Sequence, residues 1–148
     1  MNPITDIFSQ LTRDEGVRLH VYPDSRGFDT IGIGHNIDAN PLTFDVSQGI
    51  TMDQALQILH DDVTRISAKL FHDLPWLNAL DEVRQGVFIN MAFNMGAVGV
   101  EQFHHDLADT QAGNYAQAGA DMKASLWYIQ VGARAQRLVQ QMITGQWQ

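Results

Sequence analysis

The sequence has 148 residues, 45% of them hydrophobic, and a formal net charge of -8 at pH 7. That length and composition suit one domain with a hydrophobic core. The acidic charge argues against a nucleic-acid partner, because phosphate binding is carried by basic residues. The absence of cysteine excludes disulfides, thiolate metal sites and cysteine nucleophiles. No apolar stretch approaches the ~20 residues of a spanning helix, so we expect no stable membrane insertion.

The first predicted element is an amphipathic helix near the N-terminus. Its apolar positions have the spacing of one helix face and are Ile4, Ile7, Phe8 and Leu11. Asn2 is predicted as the N-cap, with Pro3 at the first helical position. Four residues beyond the last apolar position stands Glu15, so the stripe ends in a carboxylate. Gly16 predicts the end of the helix.

A small antiparallel hairpin is predicted next. Apolar and polar residues alternate over 17–22, which is the period of a half-buried strand. The stretch Pro-Asp-Ser-Arg-Gly at 23–27 is typical of a turn. The return strand places Ile31 and Ile33 on one face, and Thr30 on the opposite face together with two glycines.

The sequence predicts that the remainder of the chain is mainly helical. A capping-box pattern starts a helix at Thr51, and Pro75 closes that segment. Residues 80–95 are so densely apolar that they predict a buried central helix. Shorter helices are expected around Val100 and over 115–125 and 133–143. The predicted fold class is α+β, one domain with an N-terminal lobe (1–50), a connecting helix (51–75) and a helical lobe (76–148).

Two carboxyl groups near the N-terminus stand in contrasting environments. Glu15 ends an apolar stripe at a helix C-terminus, where desolvation and the helix dipole both favour the protonated form. Asp24 lies in a polar turn, where water and backbone N–H groups favour the ionised form. Hydrolysis of a glycosidic bond needs one carboxyl of each kind, and Thr30 can hold the water. The alternative is structural: a salt-bridged Glu15 and an Asp24 that only bonds its own backbone.

The pattern of Glu15, Asp24 and Thr30, followed by Ile-Gly-Ile-Gly-His, resembles the catalytic signature of the phage-type (T-even-like) lysozymes, glycoside hydrolase family 24. Residues 80–96 and 125–137 are similar to the central helix and the Trp-Tyr segment of that family. The resemblance implies a lysozyme-like fold and an inverting hydrolase of peptidoglycan. Glu15 is then the general acid, and Asp24 and Thr30 arrange the attacking water.

The same resemblance implies supporting and substrate-binding residues. Arg134 matches an arginine that pairs with the catalytic glutamate across the cleft, and His35 and Asp62 match a structural ion pair. The implied substrate contacts are Gly34, Asn36, Phe93, Asn94, Asp106 and Asp121. Three of these, Asn36, Asp106 and Asp121, depart from the residue types of the family, which leaves subsite preference open.

No metal or cofactor is expected. The six histidines lack the spacing of metal ligands, and none of the metal-site motifs matches. The family chemistry likewise needs only carboxyl groups, a hydroxyl and water.

The resemblance predicts a phage endolysin that cleaves the β-1,4 bond between N-acetylmuramic acid and N-acetylglucosamine and so lyses the host. No secretory signal is recognisable. We therefore expect a protein that accumulates in the host cytoplasm, depends on a holin for release, and acts on the periplasmic wall. We also expect it to be a monomer.

Other functions fit part of the same pattern. A virion-associated tail lysozyme has the same site, although the lack of an extra assembly segment favours the free endolysin. A non-catalytic peptidoglycan-binding module is expected to lose the acid, which is present here. A hydrolase of chitin-like polymers and a transglycosylase are further alternatives, but a transglycosylase does not need residues that position water.

Overall fold

A computed structural model describes residues 3–148, in which eight α-helices accompany a three-stranded antiparallel sheet. The predicted α+β fold class is therefore confirmed. The chain divides into two units. The hairpin unit is Phe8–Arg65, and the helical unit is Ile66–Gln148 together with the described residues before Phe8.

The first helix, α1, spans Ile7–Glu15. The predicted start at Pro3 is wrong, since the backbone from Pro3 to Asp6 is not helical. Asp6 directly precedes the helix and is a residue type favoured at the N-cap. Asn2, the predicted cap, lies outside the described residues. The predicted end is confirmed, because the helix stops at Glu15.

The sheet consists of β1 (Arg18–Pro23), β2 (Asp29–Gly32) and β3 (His35–Asn36), in that order. The hairpin of β1 and β2 was predicted, whereas the short third strand was not. The register is irregular between Arg18 and Tyr22. The regular alternation expected for β1 is consequently lost, and Val17 and Val21 are 37% and 43% exposed.

The second strand carries the core of the hairpin unit. Ile31 is fully buried and belongs to a cluster with Ile50, Ala55 and Ile58. Thr30 was expected on a polar face, yet it is only 3% exposed. Thr30 and Ile31 point to opposite faces of β2, and both are buried, so both faces of the strand are covered.

The long helix α2 spans Met52–Asp73 and starts with the predicted capping box. The Thr51 N–H donates to Gln54 Oε1 (2.9 Å), and the Gln54 N–H donates to Thr51 Oγ1 (3.1 Å). Such a box satisfies two backbone donors that would otherwise lack intrahelical partners. The helix ends before Pro75, as predicted, and a 3₁₀ turn follows at Pro75–Ala79.

The helical unit is built around α3 (Glu82–Met95), whose residues from Gly86 to Ala92 are buried. This confirms the predicted central helix. The helices that follow are α4 (Ala97–Glu101), α5 (His104–Gln111), α6 (Tyr115–Lys123), α7 (Leu126–Val131) and α8 (Ala133–Thr144). Sequence patterns did not predict α5 or α7. Within residues 3–148, no helix has the length and apolar character that crossing a membrane requires.

Candidate active site

Glu15 is fixed at the C-terminal end of α1. The backbone turns immediately after it at Gly16, where φ is 73° and the N–H donates to the Thr12 carbonyl (3.1 Å). One turn earlier, Leu11 is fully buried and anchors the helix. Glu15 itself is half-buried. The helix therefore presents this carboxyl group at its end, partly shielded from solvent.

The Glu15 side chain packs against the backbone at Gly34, between β2 and β3. A β-carbon at position 34 would lie 2.7 Å from Oε2 and 2.9 Å from Cδ of Glu15. Gly34 also has φ of 67°, a conformation that side chains other than glycine rarely adopt. A glycine at this position thus allows the carboxyl group to lie directly over the main chain.

Asp24 occupies the turn that joins β1 to β2. Its Oδ1 accepts hydrogen bonds from the backbone N–H groups of Arg26 (2.8 Å) and Phe28 (2.9 Å). The hydrogen bond from Phe28 is the principal reason that the pKa of Asp24 is lowered. The turn therefore favours the carboxylate form, in agreement with the prediction from its sequence.

Thr30 lies on β2 and is buried. Its Oγ1 donates to the Phe28 carbonyl (2.9 Å), so the single hydroxyl proton is already committed. The lone pairs of the oxygen are then the part of the group that can serve a ligand or water. Across the sheet, the Cα partners of Thr30 are Tyr22 on β1 and Asn36 on β3.

Tyr22 is a residue of this site that sequence reasoning missed. Burial raises the pKa of its hydroxyl, and the negative charges of Glu15 and Asp24 raise it further against the opposing charge of Arg18. The Arg18 guanidinium lies 4.4 Å from the centre of the Tyr22 ring. The phenol therefore stands within electrostatic reach of both carboxyl groups. Its position two residues before Asp24 was the available signal, since alternate strand residues share a face.

The predicted ion pair of His35 and Asp62 is present and buried. His35 Nδ1 lies 2.7 Å from Asp62 Oδ2, with the side chains 5% and 7% exposed. The other ring nitrogen lies 2.8 Å from the Asn40 carbonyl. Burial alone would lower the pKa of His35, but the hydrogen bond and charge of Asp62 outweigh it and the pKa is raised. The pair therefore links β3 to α2.

The remaining predicted contact in the hairpin unit is Asn36. It lies on β3, and its Oδ1 accepts from the backbone N–H of Ala39 (3.0 Å). Its role toward a substrate stays a prediction. The same holds for Gly34, which lies next to the Glu15 side chain.

In the helical unit, α3 presents a polar group toward α8. Arg134 Nε donates to Asn90 Oδ1 (2.8 Å), and Asn90 is fully buried. Further along α3, Asn94 Oδ1 accepts from Trp127 Nε1 (3.3 Å), and Phe93 is half-buried. The pairing of Arg134 with Glu15 and the substrate contacts of Phe93 and Asn94 stay predictions.

Asp106 and Asp121, the two acidic departures from the family pattern, lie together at one cavity of the helical unit. The cavity has a volume of about 230 Å³, and both residues line it. Burial raises the pKa of Asp106 to about 7. The structure therefore brings these two predicted contacts together, and their role toward a substrate stays a prediction.

Residues 3–148 contain no cluster of three or more His, Asp or Glu side chains arranged to hold a metal ion. The hairpin unit holds two carboxyl groups, of Glu15 and Asp24, together with the Thr30 hydroxyl and the Tyr22 phenol. Such groups can transfer protons and orient water, as hydrolysis of an acetal requires.

Comparison with known proteins agrees with this chemistry. A sequence model of the family described as phage lysozyme matches residues 12–142. The pre-baseplate central spike protein Gp5 of Enterobacteria phage T4 is 34% identical over 165 residues, which covers 97% of this chain and 28% of that protein. The "Probable T4-type lysozyme 1" of Dictyostelium discoideum is 29% identical over 164 residues, 96% of each chain.

A third relative matches a shorter stretch. The endolysin of Salmonella phage P22 is 39% identical over 57 residues, 37% of this chain and 38% of that protein. The family match covers most of the chain, including Asp24 and Thr30. The chain therefore belongs to the phage lysozyme family and is a glycoside hydrolase of the lysozyme type, a class that acts on peptidoglycan.

Proposed function

We propose that this chain is a phage endolysin, a muramidase that hydrolyses the β-1,4 bond between N-acetylmuramic acid and N-acetylglucosamine with inversion at the anomeric carbon. The observation that carries the proposal is the contrast between two carboxyl groups of one unit. Asp24 is held as a carboxylate by two backbone N–H donors, whereas Glu15 lies against Gly34 at the end of a helix.

Glu15 is the general acid of the proposed reaction. It donates its proton to the glycosidic oxygen while the bond between that oxygen and the anomeric carbon breaks. The bonding electrons leave with the oxygen, and positive charge develops on the sugar ring. Because α1 and Gly34 fix the carboxyl group, little reorganisation is needed when the sugar is bound.

Asp24 and Thr30 prepare the water that attacks. The Thr30 hydroxyl donates to the Phe28 carbonyl and so offers its lone pairs to one hydrogen of the water. Asp24 accepts the other proton as the water oxygen bonds to the anomeric carbon from the opposite face. Asp24 ends the reaction protonated and Glu15 ionised, and proton exchange with solvent restores both groups.

The proposed biological role is lysis of the host cell. It is supported by the similarity to the phage P22 endolysin and to a lysozyme relative matched over 96% of both chains. As part of this proposal, the protein is a monomer that accumulates in the host cytoplasm. It reaches the periplasmic wall through a membrane opened by a holin.

A second candidate role is a lysozyme of the virion tail. It is supported by the 34% identity to the spike protein of phage T4 over 97% of this chain. Mass spectrometry of purified virions separates the two roles. Stoichiometric amounts in virions support the tail component, and its presence in lysates alone supports the endolysin.

The test of activity is the release of reducing ends from purified peptidoglycan. We expect release by the wild type and a loss of at least a hundredfold in Glu15→Gln and in Asp24→Asn. Two matched controls remove the same groups elsewhere: Glu82→Gln on α3, and Asp45→Asn, whose Oδ1 also accepts a backbone N–H in an exposed loop (2.9 Å). Binding of the wall by the wild type without release would instead support a peptidoglycan-binding module.

A further inference from the structure

A second polar site lies in the helical unit, between α5 and α6. The cavity of about 230 Å³ is lined there by Asp106 and Asp121, with Gln102 and Phe103 from the residues just before α5. Asp106 lines this cavity from α5 and Asp121 lines it from α6. Such a concentration of negative charge around a cavity calls for a positively charged occupant.

Asp106 is the buried member of this site. The residue is only 1% exposed, and its Oδ1 accepts a long hydrogen bond from Thr110 Oγ1 (3.3 Å). Thr110 donates at a shorter distance to the Asp106 carbonyl (2.8 Å), so its one proton serves mainly the backbone. Among the described residues, nothing donates a hydrogen bond to Asp106 Oδ2. A buried carboxyl oxygen without a donor is costly, and a ligand that donates there removes the cost.

The groups around Asp106 reinforce this negative character. The Asp121 carboxyl accepts from Gln117 Nε2 (3.0 Å), and the neighbouring Asp121 raises the pKa of Asp109. The charges of Asp121 and Asp109 both oppose ionisation of Asp106. The charge of His105 acts in the opposite direction and lowers the pKa of Asp109.

The chemistry of the lining selects the kind of cation. Three or more His, Asp or Glu ligands suited to a metal ion are not found together among residues 3–148. A primary ammonium group needs fewer acceptors, since it has three N–H donors and makes charge-assisted hydrogen bonds to carboxylates. Phe103 adds an aromatic wall, held edge-on by Trp127 with 5.9 Å between ring centres, and aromatic rings attract cations.

We propose that the cavity at Asp106 and Asp121 binds a primary ammonium group of the peptidoglycan substrate. The inference rests on the proposed function and adds a specificity to it. A peptidoglycan polymer can supply this group from the side chain of a diamino acid in the stem peptide or from a glucosamine that has lost its acetyl group. The ligand chemistry is the same for both sources.

The affinity for this group follows the ionisation of Asp106. Because the pKa of Asp106 is about 7, the carboxyl is largely neutral at pH 6 and largely ionised at pH 8. Binding of a cation releases the remaining proton. The preference for an amine-bearing substrate therefore strengthens as the pH rises from 6 to 8. The polar and charged groups that line the cavity or act on the charge of Asp106 are Thr110, Asp109, Asp121, His104, His105, Gln102 and Ser125.

The experiment compares untreated sacculi with sacculi whose free amines have been N-acetylated. For the wild type at pH 8, we expect acetylation to raise KM about tenfold with little change in kcat. In Asp106→Asn the increase falls below about twofold. Asp61→Asn removes the same charge from an exposed position on α2 and keeps the tenfold increase. Assays at raised ionic strength suppress general repulsion between the acidic protein and the polymer.

Further substrates identify the source of the amine. A second variant guards against a result that is caused only by misfolding of the first. Peptide-free glycan strands, with and without partial de-N-acetylation, show a preference if the sugar amine is the ligand. A preference confined to peptide-bearing strands assigns it to the stem peptide. Asp121→Asn is the second variant, with folding of both checked by circular dichroism, and it should also lose the preference.

An equal KM for all amine-bearing and amine-free substrates in the wild type would overturn the inference, as would an unchanged preference in both folded variants. These outcomes differ from failure of the proposed function, in which the wild type releases no reducing ends from any of the polymers.

Discussion

The Glu15 carboxyl lies so close over Gly34 that a β-carbon there would be 2.7 Å from Oε2. The end of α1 and the turn at Gly34 therefore together define the position of the Glu15 carboxyl group. The helix sets the direction of the side chain, and the absent side chain at position 34 leaves the space that the carboxyl group fills. Catalysis by a positioned proton donor depends on this placement.

Substitution Gly34→Ala tests that dependence. The new β-carbon must displace the Glu15 carboxyl, and the residue must hold a φ of 67°, which costs about 1–2 kcal/mol outside glycine. We expect kcat to fall at least tenfold. Gly113→Ala is the matched control, because Gly113 has φ of 81° but nothing lies within 4 Å of its added β-carbon. Equal kcat values for the two variants would contradict the account.

The pKa of Asp24 is expected to set the acidic limit of activity. Its backbone hydrogen bonds lower its pKa, so the base stays ionised below the ordinary range of aspartate, about 3.9. Activity is retained above that range and is lost as the pH falls through the depressed pKa. Profiles of kcat/KM from pH 2.5 to 7 on a soluble glycan measure this limit. A wild-type acidic limb centred at pH 5 or above is incompatible with Asp24 as the base.

Tyr22→Phe removes the hydroxyl near both carboxyl groups and keeps the ring beneath Arg18. We expect kcat to fall about three- to tenfold with a shifted pH profile, because one hydrogen-bonding group is lost beside the ionisable pair. Tyr115→Phe is the control, since the Arg84 guanidinium also stacks on that ring, 3.6 Å from its centre. An identical pH profile for Tyr22→Phe and the wild type would show that the hydroxyl plays no part.

Asp62→Asn tests the buried ion pair with His35. Removing one charge of a buried pair is expected to lower the free energy of unfolding by about 3 kcal/mol. Because the folded pKa of His35 is raised, its stabilisation is complete below about pH 6.5 and is lost as the pH rises through the folded value. Urea unfolding should therefore show a larger difference from the wild type at pH 6 than at pH 9.

The exposed neighbour Asp61 provides the control for that measurement. Asp61→Asn removes a carboxylate from the same helix, where Asp61 Oδ1 accepts from Gln57 Nε2 on the surface. Its effect should stay within about 0.5 kcal/mol at both pH values. A difference for Asp62→Asn that grew toward pH 9 would refute the assigned charge of His35.

The parts of the site that were predictable are those encoded over short distances. Gly16 ends α1 directly after Glu15, and the turn residues around Asp24 supply the N–H groups that bind it. Tyr22 was missed because its importance depends on which faces of a bulged sheet meet the carboxyl groups. The irregular register between Arg18 and Tyr22 is not visible in a simple alternation.

Local sequence patterns do not predict the buried position of Asp106. Asp106 was named only because the family resemblance implies a substrate contact there, and the helix α5 that carries it was not predicted. Burial of Asp106 arises from the packing of α5 against α6, a contact between segments that are each too short and too polar to reveal a strong apolar face. Whether a residue at such a position is buried depends on tertiary packing rather than on the local sequence pattern.

The stereochemistry of the first product tests the division of roles between Glu15, Asp24 and Thr30 most directly. Proton NMR recorded during hydrolysis of a soluble peptidoglycan oligosaccharide distinguishes the two anomers before they interconvert. Attack by a water held opposite the acid gives the α-anomer first. Initial appearance of the β-anomer would mean that a covalent or retaining route operates and would contradict the account.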